Sequence, residues 1–168
     1  MLTTIRPADS TDQSTIRTIV RAAHLNPIDL QWQNFVVAEQ DGQIVGVGQI
    51  RPHKDGCREL ASIAVRPEQQ RNGVGGQLVR TLQARAAGPL YLMCAAPMAN
   101  YYWRFGFQRC QPAEMPGSLR WKAAIGNFLG NMNRPFGPYR THVLVMRWPA
   151  RQLPAAANLA YRGEPSGH

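Results

Sequence analysis

Between Val65 and Leu78 the chain reads Arg66-Pro67-Glu68-Gln69-Gln70-Arg71-Asn72-Gly73-Val74-Gly75-Gly76-Gln77. Three glycines crowd a short turn behind Arg71, and an apolar helical period (Val74, Leu78, Val79, Leu82, Ala86) starts at once. A turn that leaves a strand and opens a helix is suited to holding an anion, because free backbone N–H groups and the positive helix end face one point. Glycine lets the backbone approach a phosphate with no side chain between them, and Arg71 can add charge. Tight packing of the connection is the alternative reason for the glycines. Two better-known phosphate motifs do not fit. The dinucleotide fingerprint needs glycine where Leu78 stands, and the P-loop needs Gly-Lys-Ser/Thr where the chain has Gly75-Gly76-Gln77.

The rest of the composition narrows the partners. The 168 residues carry a formal net charge of +9, almost all of it arginine, since lysine occurs only at Lys54 and Lys122. That charge favours anionic partners. The arginines form no dense run and no comb with aromatics, so a phosphate-bearing small molecule fits better than nucleic acid. Cys57, Cys94 and Cys110 are odd in number and far apart, without metal-ligand spacing, so we expect reduced cytoplasmic thiols and no metal site. The N-terminus lacks an apolar signal core, and no apolar run approaches the roughly 20 residues that span a bilayer. We therefore expect no membrane partner.

The elements that must position the turn follow from periodicity. Strands are expected at Thr3–Arg6, Phe35–Glu39, Ile44–Ile50, Glu59–Val65, Leu90–Cys94, from Phe107, and at Thr141–Trp148. Asp9 or Ser10 caps a first helix with Ile16, Ile19, Val20 and Ala23 on one face. Asp41-Gly42 and Lys54-Asp55-Gly56 turn the second to fourth strands into an antiparallel meander. The helix after the glycine turn makes the fourth and fifth strands parallel. Met98 to Phe105 reads as a short helix closed by Gly106, and Ser118 can cap another carrying Trp121, Ile125, Phe128 and Leu129. The expected fold class is α/β: a mostly antiparallel mixed sheet of about seven strands, with helices on both faces. One domain over 1–148 is expected, followed by a frayed Ala- and Pro-rich tail over 149–168.

Gln70-x-x-Gly73-x-Gly75 after Ile63-Ala64-Val65-x-Pro67-Glu68, followed by Tyr102-Trp103-Arg104-Phe105-Gly106-Phe107, resembles the two signatures of the GNAT superfamily of N-acetyltransferases. The resemblance extends to element order over about residues 3–148. It implies an acetyl-coenzyme A-dependent acyltransferase whose fourth and fifth strands splay apart. The pyrophosphate would then sit on the amides of Arg71, Asn72, Gly73, Val74, Gly75 and Gly76, with Gln70 entering the motif. The pantetheine arm would lie beside Ile63, Ala64 and Val65, and the Val65 amide would polarise the thioester carbonyl. Tyr102 matches the family's general acid, against the alternative that its ring merely packs on the sheet. Many members carry an asparagine where Ala95 stands here, so that contact is not carried over.

Strand alternation places Glu59, Ala61, Ile63 and Val65 on one face, so Glu59 would share the thioester face and match the glutamate base of some members. The alternative is a surface carboxylate paired with an arginine such as Arg58. His53 and His142 are the fallback bases. The acceptor amine is not specified by the sequence. The resemblance directs attention to residues 24–32 and to residues 112–140 with Trp121, Phe128, Phe136 and Tyr139, either a lid or a cover for the sheet end. A non-catalytic coenzyme A-binding module and an arginine-driven RNA-associated protein are the competing function classes. A homodimer is left open.

Overall fold

A computed structural model of the protein describes residues 2–132 and 142–149. Its core is a seven-stranded sheet of order β1-β2-β3-β4-β5-β7-β6. The strands are β1 Thr4–Pro7, β2 Phe35–Gln40, β3 Gln43–Pro52, β4 Arg58–Val65, β5 Leu90–Ala95, β6 Gln108–Arg109 and β7 Val143–Trp148. The helices are α1 Gln13–Ala22, α2 Val74–Arg85, α3 Ala99–Trp103 and α4 Gly117–Met132. Every strand pair is antiparallel except β4–β5. That pair is held at one register position alone, Glu59 opposite Tyr91. Beyond it the two strands separate, as expected from the sequence.

The two faces of the sheet are covered by different elements. On one, Val74, Leu78, Val79 and Leu82 of α2 pack with Val36, Leu60, Leu90, Leu92 and Met146. On the other, Ile16, Ile19 and Val20 of α1 pack with Phe35, Val37, Val47 and Ala64. There, too, Leu119 and Ala123 of α4 meet Cys57, Cys110 and Val145, beside Tyr91 and Met93. Asp9 closes a capping box with Asp12 ahead of α1, its carboxylate accepting from the Thr11 amide at 2.8 Å. Arg6 on β1 donates to Asp12 at 2.7 Å and to Glu39 on β2 at 3.0 Å, fixing the entry to α1.

Two expectations change. Two residues of the face expected to be apolar on α4 are turned to solvent, Trp121 57% exposed and Ile125 45% exposed, while Leu119 and Ala123 are buried. Gly126 and Gly130 blur the helical period there. The second change is in β4. Val47 pairs with Ala64 but Gln49 pairs with Ala61, so β4 carries one extra residue, and Ser62 takes a φ of +54°. This bulge reverses the alternation. Glu59 and Ala61 therefore face the α1 side, and Ile63 and Val65 face the α2 side. They do not share a face as simple alternation required. Phe136, Tyr139 and the tail from 150 lie outside the described residues.

Candidate active site

The turn after β4 is built for close approach. Pro67–Gln69 forms a 3-10 turn, Gln70 returns to extended backbone, and Arg71 (φ +66°) and Gly73 (φ +81°) are left-handed. Gly73 is the N-cap of α2 and supplies no side-chain cap. A Cβ at Gly73 would meet nothing within 4 Å, so its backbone angle, not crowding, calls for glycine. Gly75 and Gly76 differ. A Cβ on Gly75 would lie 2.9 Å from the Tyr101 hydroxyl, and one on Gly76 would lie 3.3 Å from the Phe105 ring. Packing thus accounts for Gly75 and Gly76, and backbone angle for Gly73. The Gln77 amide donates to the Gly73 carbonyl at 3.1 Å, so the amides of Val74, Gly75 and Gly76 precede the first hydrogen bond of α2. The Gln70 side chain donates to the Val65 carbonyl at 3.0 Å and ties the turn to the strand end.

This turn floors a groove of about 920 Å³. Ile63 and Val65 form one wall, and Tyr101, Tyr102 and Phe105 form another. Of the residues expected to hold the cofactor, Ile63, Val65, Gln70, Arg71, Gly73, Gly75 and Gly76 line it. The Ala64 side chain is buried on the α1 side, Val74 is buried under the turn, and Asn72 is exposed and donates to Gln69. Sequence reasoning missed Arg80 and Arg104, which also line the groove. Arg80 lies over the Phe105 ring at 5.6 Å and Arg104 over the Tyr101 ring at 4.8 Å. With Arg71, three arginines line the groove that the uncapped helix start floors, a charge arrangement suited to an oligophosphate.

Register decides where the β4 amides point. The Arg66 amide donates to the Val45 carbonyl at 2.8 Å, one step beyond the Gly46–Val65 pair. By antiparallel alternation the Val65 N–H points away from β3, into the gap left by β5. A carbonyl placed there would meet a donor free of the sheet ladder.

Tyr102 stands at that gap. Its ring packs edge-on against Phe107 at 6.0 Å and Tyr101 at 5.1 Å. Burial pushes its phenol up, with Tyr101 and Cys94 adding to the effect. It is therefore a protonated hydroxyl at neutral pH, able to give a proton to a basic leaving group. Ile63 and Tyr102 line the groove and also a smaller cleft of about 180 Å³ on the α1 side. Glu59, Arg51, Leu25, Asn26 and Met93 line that cleft.

Glu59 is not the surface carboxylate that pairing with Arg58 would make it. It is 4% exposed. His53 Nε2 lies 2.7 Å from its Oε2, and Arg51 Nη1 donates to the same oxygen at 3.4 Å. Oε1 carries neither contact. His53, read as a fallback to Glu59, is its hydrogen-bonded partner, whereas His142 is exposed at the start of β7 and lines neither cleft. The pairing had a signal: counting outward from the Lys54-Asp55-Gly56 turn sets Arg51 opposite Glu59, as observed.

Comparison with known proteins agrees with this geometry. Residues 31–109 match the family model described as an acetyltransferase (GNAT) domain. An amino-acid acetyltransferase of Ectopseudomonas mendocina is 25% identical over 108 residues, covering 62% of this chain and 24% of that protein. The chain thus spans about a quarter of the length of the curated relatives it matches. Among solved structures, N-acetylglutamate synthase from Neisseria gonorrhoeae, complexed with coenzyme A and L-arginine, shares the fold. Its TM-score is 0.65 at 24% identity, over 87% of this chain and 33% of that one. A GNAT family acetyltransferase from Brucella melitensis in complex with acetyl-CoA is 27% identical, with a TM-score of 0.51, over 64% of this chain and 83% of that one. The matched span takes in the bulged β4, the glycine turn, the splayed β5 and Tyr102. Over residues 31–109 the chain is thus similar to a GNAT acetyltransferase domain.

Proposed function

We propose that the protein is an N-acetyltransferase that moves an acetyl group from acetyl-coenzyme A to a primary amine by direct attack in a ternary complex. The observation that carries this reading is that Ile63 and Tyr102 line both clefts, so a long arginine-lined groove and a small cleft holding Glu59 meet at one phenol. Acetyl-coenzyme A supplies an acetyl group activated as a thioester. The amides of Val74, Gly75 and Gly76, with Arg71, hold its pyrophosphate, and Arg80 and Arg104 add charge along the groove. Ile63 and Val65 offer the backbone edge for the pantetheine arm, and the Val65 N–H receives the charge that develops on the carbonyl oxygen. Glu59, directly or through a water, takes the proton that the amine loses as the C–N bond forms. Tyr102 gives its proton to the sulfur as the C–S bond breaks. No metal enters this chemistry. Reduced thiols at Cys57, Cys94 and Cys110 suit a cytoplasmic setting.

The test is coenzyme A release from acetyl-coenzyme A across amines, free amino acids, peptides with free N-termini and aminoglycosides. Release with at least one class, saturable in acceptor, is expected. No release together with no thermal shift by acetyl-coenzyme A overturns the reading; a thermal shift alone favours the non-catalytic binding module.

A further inference from the structure

The segment between α1 and β2 borders the smaller cleft through Leu25 and Asn26. It is an exposed stretch with two non-glycine residues in the left-handed region, His24 at φ +53° and Asp29 at φ +56°. Such backbone persists only where its surroundings over-determine it. Three consecutive carbonyls supply that determination. The Ile28 carbonyl accepts from Arg51 Nη2 at 3.0 Å. The Asp29 carbonyl accepts from the Gln49 amide at 3.3 Å, in the amide orientation that also lets Gln49 accept from Arg51 Nη2 at 3.1 Å and from the Ser62 hydroxyl at 3.0 Å. The Leu30 carbonyl accepts from Gln13 Nε2 at 2.7 Å, and the same side chain accepts from the Trp32 amide at 3.1 Å. Gln49 and Arg51 are 0% and 5% exposed, which is unusual for these types without a built network.

Arg51 has a second engagement. Its Nη1 reaches Glu59 while its Nη2 holds Ile28. A planar guanidinium cannot shift at one end without turning at the other. Any displacement of the segment is therefore passed to the carboxylate that faces the acceptor.

We infer that residues 24–31 are a fixed wall of the acceptor cleft, set by Gln13, Gln49 and Arg51, and that Arg51 couples the wall to Glu59. These three are positioning residues: they select the acceptor by holding Leu25 and Asn26 at a set distance from the carboxylate. The role in acceptor choice rests on the acetyltransferase reading; the wall itself does not.

Two variants separate the parts. Arg51→Lys keeps the charge but cannot span both partners. Gln13→Ala releases the wall without touching Glu59, and remains informative if a buried lysine unfolds the protein. In the free protein, amide hydrogen exchange at Leu25, Ile28 and Trp32 should quicken roughly five- to tenfold in both variants, with β4 and α2 unchanged. With glycinamide, butylamine and L-glutamate as acceptor probes, both variants should raise the acceptor KM and change the ranking of the probes, leaving the acetyl-coenzyme A KM within about twofold. Only Arg51→Lys should also lower kcat. Unchanged exchange in the segment, or exchange that rises everywhere equally, overturns the wall. Equal rises in both KM values overturn its role in selection. If the wild-type protein acetylates none of the probes, the acetyltransferase reading is weakened and the selective role falls with it, while exchange still decides the wall.

Discussion

The groove on the α2 side and the cleft on the α1 side are made in different ways. The groove is built mainly from backbone: a left-handed glycine, three amides ahead of the first α2 hydrogen bond, and a strand edge left open by one bulge and one splay. The cleft is built from side chains that meet across the sheet: Arg51 with Glu59, His53 with Glu59, and Gln49 with Ser62 and Asp29. Backbone sites depend on local conformation and tolerate changes of side chain. Side-chain sites depend on long-range register and lose function when one partner goes. The groove can thus serve a cofactor shared by many enzymes, and the cleft can be specific to one acceptor.

The sharpest way to test this division is Tyr102→Phe, because Tyr102 stands where the two regions meet. Turnover should fall roughly 10²–10⁴-fold in steady-state kinetics while acetyl-coenzyme A binding barely moves. Tyr101→Phe should be far milder, since Tyr101 lies over the helix start and not in the smaller cleft. Equal losses would place the proton donor elsewhere.

The next effect is on the groove alone. Acetyl-coenzyme A at about 100 times its Kd should stabilise the wild-type protein by roughly 2.7 kcal/mol, on the order of 5–10 °C in Tm for a chain of this size. Gly75→Glu should remove that shift, by setting a carboxylate against the phosphates and a side chain against the Tyr101 hydroxyl.

Acid should distinguish the two regions as well. The α1 side stands on carboxylate pairs, among them Arg6–Asp12 at 2.7 Å. The hydrogen bond from Arg6 holds the Asp12 carboxyl below its ordinary value of 3.8, against the opposing effect of burial. A depressed folded-state value stabilises above the unfolded value and is lost as pH falls through the folded one. Asp12→Asn should therefore cost about 1.5–3 kcal/mol near pH 7 in urea melts, and the gap to wild type should close well below pH 3.8. A gap that stays constant into acid would mean the pair is not what Asp12 contributes.

The smallest effect is expected at Trp121. Its indole is 57% exposed on α4. Trp121→Ala should change stability by no more than about 0.5 kcal/mol in the same melts. A rise in acceptor KM without one for the cofactor would extend the acceptor site to α4.

The contrast between the regions also explains what could be read in the sequence. The strands and the glycine turn are local in sequence, so spacing and turn chemistry expose them, and Tyr102 is marked by the family resemblance. The parallel β4–β5 pair follows from a strand–helix–strand order, whereas its splay is implied only by the family resemblance. The bulge at Ser62 follows from neither, because a serine at φ +54° carries no residue signature, and missing it put Glu59 on the wrong face. Arg80 and Arg104 were two guanidiniums among many; only the fold brings them over Phe105 and Tyr101. The Arg51–Glu59 pair was within reach through hairpin counting, whereas Gln13 and Ile28 needed the path of the α1–β2 segment. On α4 the apolar residues were visible but not which of them faced inward.

The central claim is that cofactor binding belongs to the groove and removal of the acceptor's proton to the cleft. It is tested most directly by measuring, for Glu59→Gln, both the acetyl-coenzyme A Kd by calorimetry and the single-turnover transfer rate against pH. Glutamine keeps the size and cannot take the proton. An unperturbed amine titrates near about 10.4, so rising pH supplies free base without help from the protein. The account predicts a Kd within about twofold of wild type, a slower transfer at neutral pH, and partial recovery as pH rises. A wild-type transfer rate with an unaltered pH profile, or a Kd lost in step with the rate, would contradict it.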